Sequence, residues 1–145
     1  MLKIAICDDD LKFAGSLETL VITESQELGI RVETEVFADG KTLVEHIRAG
    51  ERYGLIFLDI EMEHVDGISA ARLIRETDRS VLFIYISGYD SYLKELFEVE
   101  PFRFLSKPLE NKLFCRYYKE ACQRIGETEV FYQFTFNKEM RKVPL

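Results

Sequence analysis

Basic charge is in short supply: 19 Lys and Arg stand against 26 Asp and Glu in 145 residues, a formal net charge of -7. Nucleic-acid binding draws much of its affinity from cations on phosphates, so this stretch alone is a poor DNA-binding surface. Cysteine is equally sparse. Cys7, Cys115 and Cys122 form an odd set with no C-x-x-C pair, and Cys7 lies inside an apolar run, which argues against a disulfide framework and for a reducing, cytoplasmic setting. No apolar run approaches the roughly 18 residues that cross a bilayer, and Leu2 to Cys7 is too short for the core of an export signal. Neither membrane insertion nor export is expected. Internal repeats and low-complexity segments are also missing. What is present, 47% hydrophobic and 31% charged residues, is an ordinary globular composition, long enough for one domain with a real core plus a fragment of a second.

Apolar runs bounded by turn residues alternate with segments of helical period, the pattern of an α/β fold with a parallel sheet covered by helices. The spacing predicts strands at Lys3 to Cys7, Arg31 to Phe37, Leu55 to Asp59, Val81 to Ser87 and Phe102 to Ser106. Helices are predicted at Asp10 to Leu28, Lys41 to Ala49, Ile68 to Thr77, Ser91 to Val99 and Glu110 to Ile125, with Asp39 as N-cap of the second. Strands 1, 3 and 4 are near-continuous apolar runs, as strands buried on both faces require. Strand 2 alternates, with Val32, Thr34 and Val36 opposite Glu33 and Glu35, which suggests an edge. Right-handed crossovers then give a doubly wound sheet whose chemistry collects at the carboxyl ends of its strands.

Those ends are where the reactive side chains fall. Asp8-Asp9-Asp10 follows strand 1 and Asp59 ends strand 3, so two strands deliver carboxylates to one edge. Clustered carboxylates repel one another, and a hard divalent cation makes the cluster favourable; oxygen donors without His or Cys select Mg²⁺ or Mn²⁺. Strand 4 ends in Ser87-Gly88, a hydroxyl donor, and strand 5 is followed by Lys107-Pro108, a cation. Taken singly, the aspartates read as a helix cap, Ser87 as a turn residue and Lys107 as a solvated lysine. Together they supply the metal site, cation and donor that a carboxylate needs to accept a phosphoryl group.

On these motifs, from about Leu2 to Ile125, the sequence resembles the receiver domain of bacterial two-component response regulators. The match comprises Ile6-Cys7-Asp8-Asp9, Leu58-Asp59-Ile60-Glu61-Met62 with Asp66-Gly67, Ser87, and Lys107-Pro108. The resemblance implies a flavodoxin-like, five-stranded sheet of order 2-1-3-4-5. It implies Asp59 as phosphoacceptor, with Asp9 a direct metal ligand, Asp8 a ligand through water and the backbone carbonyl of Glu61 a further ligand. Lys107 would pair with the phosphoryl group, Ser87 would be the switch hydroxyl, and Phe104 falls at the family's rotating aromatic. The Lys107-Pro108 bond is expected to be cis. Glu63 departs from a proline common at that point, and Glu61 adds a carboxylate beside the site.

The implied partners are a sensor histidine kinase and a second copy, joined on phosphorylation through helix 4, strand 5 and helix 5. The implied role is a phosphorylation-dependent switch controlling transcription rather than an enzyme. The stretch from Ser87 to Leu109 looks most like the subgroup with a LytTR-type DNA-binding output. Residues 1–126 would be the receiver, and 127–145 a linker and the first β-hairpin of that output domain, with strands at Val130 to Asn137 and Arg141 to Leu145. Glu127, Glu129 and Glu139 balance Lys138, Arg141 and Lys142 there, so DNA binding is expected only through residues beyond Leu145. Two alternatives remain. A Mg²⁺-dependent aspartyl phosphohydrolase would require Thr or Val where Lys12 stands, and a cap domain. An adaptor of the same fold that never takes phosphate would have no use for Asp8, Asp9, Asp59, Ser87 and Lys107 together. His46 and His64 lack partners at metal-ligand spacing, and Cys115 and Cys122, seven apart on one helical face, suit a structural role.

Overall fold

The computed structural model describes residues 1–62, 65–88 and 101–142, with side chains up to Glu127. The helix expected at Ser91 to Val99, and with it Glu63, His64, Tyr89, Tyr92 and Val143 to Leu145, lies outside the described residues. The elements are β1 (Leu2–Cys7), α1 (Leu11–Leu28), β2 (Val32–Phe37), α2 (Gly40–Arg48), β3 (Leu55–Asp59), α3 (Gly67–Thr77), β4 (Leu82–Ser87), β5 (Arg103–Ser106) and α4 (Asn111–Lys142). All neighbouring strands pair in parallel, in the order β2-β1-β3-β4-β5. This is the doubly wound arrangement expected from the alternation, with β2 at an edge.

Period-two alternation sorts the strand side chains onto two apolar faces. Ala5, Ile56, Leu58, Phe83 and Tyr85 pack with α2 and α3 through Leu43, Ile47, Ile68 and Ile74. Ile4, Ile6, Leu55, Phe57, Ile84 and Ile86 pack with α1 and α4 through Leu17, Val21, Phe114 and Tyr118. Every residue of β3 is buried, so the strand ending in Asp59 is clamped on both sides. Three helices open on aspartates whose carboxylates accept the amide three residues on: Asp10 from Phe13, Asp39 from Thr42 and Asp66 from Ser69. α1 closes on Gly29 at a φ of 69°, a left-handed conformation glycine adopts without a steric cost.

The expected hairpin at Val130 to Leu145 is not what the structure contains: over the described residues up to Lys142 the backbone continues α4 as one helix of 32 residues. Val130 to Asn137 and Arg141 to Leu145 read as two strands on resemblance to a LytTR-type hairpin, but a helix already nucleated and anchored on the sheet extends at little cost per residue. A two-stranded hairpin with no further sheet to join is marginal in water. Among the described residues no helix is long and apolar enough to cross a membrane.

Candidate functional site

The parallel sheet brings the carboxyl ends of β1, β3, β4 and β5 to one edge, and the side chains singled out in the sequence meet there. Asp8 follows β1 and is 2% exposed; Asp59 ends β3 and is 4% exposed; Ser87 ends β4 and is 1% exposed. Carboxylate oxygens of Asp8, Asp9 and Asp59 lie within 4.8 Å of one another, and Asp9 is exposed to solvent. Lys107 Nζ stands 3.0 Å from Asp8 Oδ2 and 3.6 Å from Asp59 Oδ2.

Local backbone geometry aims these groups. The amide of Asp10 donates to Asp8 Oδ1 at 2.9 Å, and the amide of Glu61 to Asp59 Oδ1 at 3.2 Å. Glu61 therefore enters the site through its main chain, and its carboxylate is not in the three-carboxylate cluster. Asp10 does act as a helix cap, as one reading of the triplet had it, while Asp8 and Asp9 turn into the cluster. The Lys107 amide donates to the Ser87 carbonyl at 3.0 Å, tying the ends of β4 and β5, and the Lys107-Pro108 peptide bond is cis. Phe104, partly buried against the α2/α3 core, lies opposite Tyr85 in the β4–β5 register. The alternation along β4 puts Ser87 on that same face.

The electrostatics follow from burial. Loss of water, and then the charge of Asp8, push the Asp59 carboxyl up to about 7, against the pull of Lys107 and the Glu61 amide. For Lys107 burial opposes the charge, but the close contact with Asp8 and the charges of Asp59 and Asp8 outweigh it and raise its pKa. Asp8 Oδ2 is fully buried and accepts no well-formed hydrogen bond, its neighbour being the Lys107 ammonium. Lys107 thus pairs with two of the three clustered carboxylates, and an oxygen of Asp8 is left under-satisfied. An all-oxygen donor set of this kind fits a hard divalent cation.

Two participants were not singled out in the sequence. Phe13 is spaced at offsets of 4 and 8 from Leu17 and Val21 in α1, the pattern of an apolar helix stripe, yet its ring lies under Lys107, with Nζ 4.4 Å from the ring centroid. Gly67, noted only within a motif, is required by close approach: a Cβ there would lie 2.1 Å from the Asp59 carbonyl oxygen. The Asp66-Gly67 pair is the signal that could have found it. His46 is away from the site, with Nδ1 2.9 Å from the Thr42 carbonyl and Nε2 3.7 Å from Glu35. Cys115 donates to Glu24 at 3.3 Å, and Cys122 packs in the α1/α4 core.

Comparison with known proteins agrees with this geometry. The chain is 23% identical over 132 residues to the sensory transduction protein LytT of Bacillus subtilis, covering 89% of this chain and 53% of that protein. It is 29% identical over 112 residues to the sensory transduction protein LytR of Streptococcus agalactiae, covering 77% of this chain and 44% of that protein. The chain therefore spans about half the length of these curated relatives. Among solved structures, the REC domain of AraT, a response regulator from Geobacillus stearothermophilus, shares the fold with a TM-score of 0.76 at 23% identity, covering 88% of this chain and 98% of that one. The model of the response regulator receiver domain matches residues 4–119, and the chain belongs to that family.

Proposed function

We propose that the chain is the receiver of a two-component response regulator, taking one phosphoryl group on Asp59 from a sensor histidine kinase in the cytoplasm and passing the change to a transcriptional output. The observation that carries this reading is the convergence of Asp59 with Asp8, Asp9 and Lys107 at one edge of the sheet. In the transfer, an Asp59 carboxylate oxygen forms the bond to phosphorus as the bond from phosphorus to the donor breaks, and the donor leaves with the electron pair. A carboxylate needs no general base for this attack. Asp8, Asp9, Asp59 and the Glu61 carbonyl would hold Mg²⁺ or Mn²⁺, which supplies positive charge for the phosphoryl oxygens. Lys107 offsets a further oxygen, and the buried approach positions donor and acceptor.

The output is a population shift and not turnover of a substrate. Ser87 reaches toward the new phosphoryl oxygen, and Phe104, on the same face, turns into the space it leaves. The surface that changes includes β5 and α4, and it is the face for pairing with a second copy. Residues 1–126 act as the receiver unit, and 127–145 lead toward a LytTR-type DNA-binding region. DNA recognition belongs to that region.

The test is incubation with Mg²⁺ and acetyl phosphate followed by intact mass. The wild-type chain gains one phosphoryl group, labile to acid and to hydroxylamine as an acyl phosphate is, and Asp59→Asn gains none. Full labelling of Asp59→Asn, transfer of the label to Asp8, or labelling undiminished without a divalent cation overturns the assignment. Metal binding with no label at all would favour the adaptor.

A further inference from the structure

Lys107 reaches the acidic site across an aromatic ring. Its Nζ lies 4.4 Å from the centroid of Phe13, and two carboxylate oxygens stand at 3.0 and 3.6 Å from the same nitrogen. Phe13 sits in the first turn of α1 and is partly buried against the α1/α4 core. Its amide is held by the capping carboxylate of Asp10 at 3.1 Å. The cap that starts the helix therefore also sets where this ring lies.

We propose that Phe13 is a positioning residue for Lys107, a neutral platform that keeps the ammonium over the acidic site; its consequence for phosphoryl transfer rests on the assignment of Asp59 as phosphoacceptor. The reason for a ring lies in the competition Lys107 faces. A third carboxylate in place of Phe13 would bind the ammonium and hold it away from an incoming phosphoryl oxygen. A ring face attracts a cation through its quadrupole but is a poor hydrogen-bond acceptor. The three N–H donors of Lys107 stay directed at oxygens. With acetyl phosphate as donor, the bond from Asp59 Oδ to phosphorus forms while the phosphorus–oxygen bond to acetate breaks, and acetate leaves with the electron pair. Lys107, held on Phe13, is in place to offset charge on a phosphoryl oxygen throughout. Leucine at this position would fill similar space and supply no such attraction.

The test compares wild type with Phe13→Leu and Phe13→Tyr by two readouts. The first is NMR of the metal-free chain, where protons of the Lys107 methylene next to Nζ resonate upfield if they lie over a ring. The upfield position is expected in wild type and Phe13→Tyr and an ordinary position in Phe13→Leu. The second is the rate of labelling by acetyl phosphate with Mg²⁺. It should fall about threefold to tenfold in Phe13→Leu and recover in Phe13→Tyr, with the melting temperature of both variants within a few degrees of wild type. An ordinary Lys107 position in wild type, or equal slowing by Leu and Tyr, overturns the proposal. An upfield Lys107 in a wild-type chain that takes no label supports the ring contact and overturns the phosphoacceptor assignment instead.

Discussion

Lys107 stands closer to Asp8 than to Asp59, 3.0 against 3.6 Å, although Asp59 is the proposed acceptor. The ammonium thus serves as the counterion of two of the clustered carboxylates. A divalent cation bound among Asp8, Asp9 and Asp59 would relieve it of that role and free it for a phosphoryl oxygen. Mg²⁺ should therefore raise the melting temperature of the chain, by the equivalent of about 2.7 kcal/mol at a hundred times the dissociation constant. Asp9→Ala should remove most of that gain. A melting temperature flat across a Mg²⁺ titration to tens of millimolar would rule out the site.

The raised pKa of Asp59 has a sign that can be measured. Its folded value of about 7 exceeds the ordinary 3.8 because burial and then Asp8 disfavour the carboxylate. The folded chain therefore holds this proton more tightly than the unfolded chain. That contribution to stability is complete below about pH 4 and is lost as the pH rises to about 7. Asp59→Asn removes the loss. In chelator, the variant should be more stable than wild type at pH 8, by about 1 to 3 kcal/mol, and the gap should close at pH 4 and shrink with Mg²⁺. Equal stability of the two at pH 8 in chelator would show that Asp59 carries no such strain.

A buried hydrogen-bond chain ties α4 to α1 away from the site. Ser25 Oγ donates to the Val21 carbonyl at 2.6 Å, and Tyr118 Oη lies 2.6 Å from the same Oγ. Because the Ser25 proton is committed to Val21, Tyr118 is the donor of the second bond. Tyr118→Phe leaves Ser25 still bonded and should cost about 1 kcal/mol. Ser25→Ala takes the acceptor from a buried phenol and should cost more, about 1 to 3 kcal/mol. Urea denaturation of the two variants reads the order, and a costlier Tyr118→Phe would reverse the donor assignment.

The site residues were legible because a doubly wound sheet sends every strand's carboxyl end to the same edge. Locating the ends of β1, β3, β4 and β5 placed Asp8, Asp59, Ser87 and Lys107 together with no distance known. β2 was legible as an edge from its alternation, and its residues are mostly half-exposed. Phe13 was not legible as part of the site, because an aromatic at helical spacing beside Leu17 and Val21 has the same pattern whether its ring meets a core or a cation. The part after Gly126 failed for a related reason. Val130 to Phe136 has strand-forming residue types, and local preference yields to what the segment is attached to; here that is a helix anchored by Phe114, Tyr118 and Ala121.

That helix gives the last prediction. The α4 side chains that join the described core run from Leu113 to Ile125, while the backbone stays helical to Lys142. At about 1.5 Å per residue, the stretch from Glu127 onward is about half of the helix length. Ending the chain after Gly126 should therefore lower the helical far-ultraviolet circular dichroism, since residues 127 to 142 are 16 of the 32 in α4. The receiver itself should survive, with a melting temperature within a few degrees of the full chain and the same response to Mg²⁺. Loss of a strand-like signal in place of a helical one would restore the hairpin. Collapse of the melting transition would instead show that the extension of α4 supports the sheet it was built from.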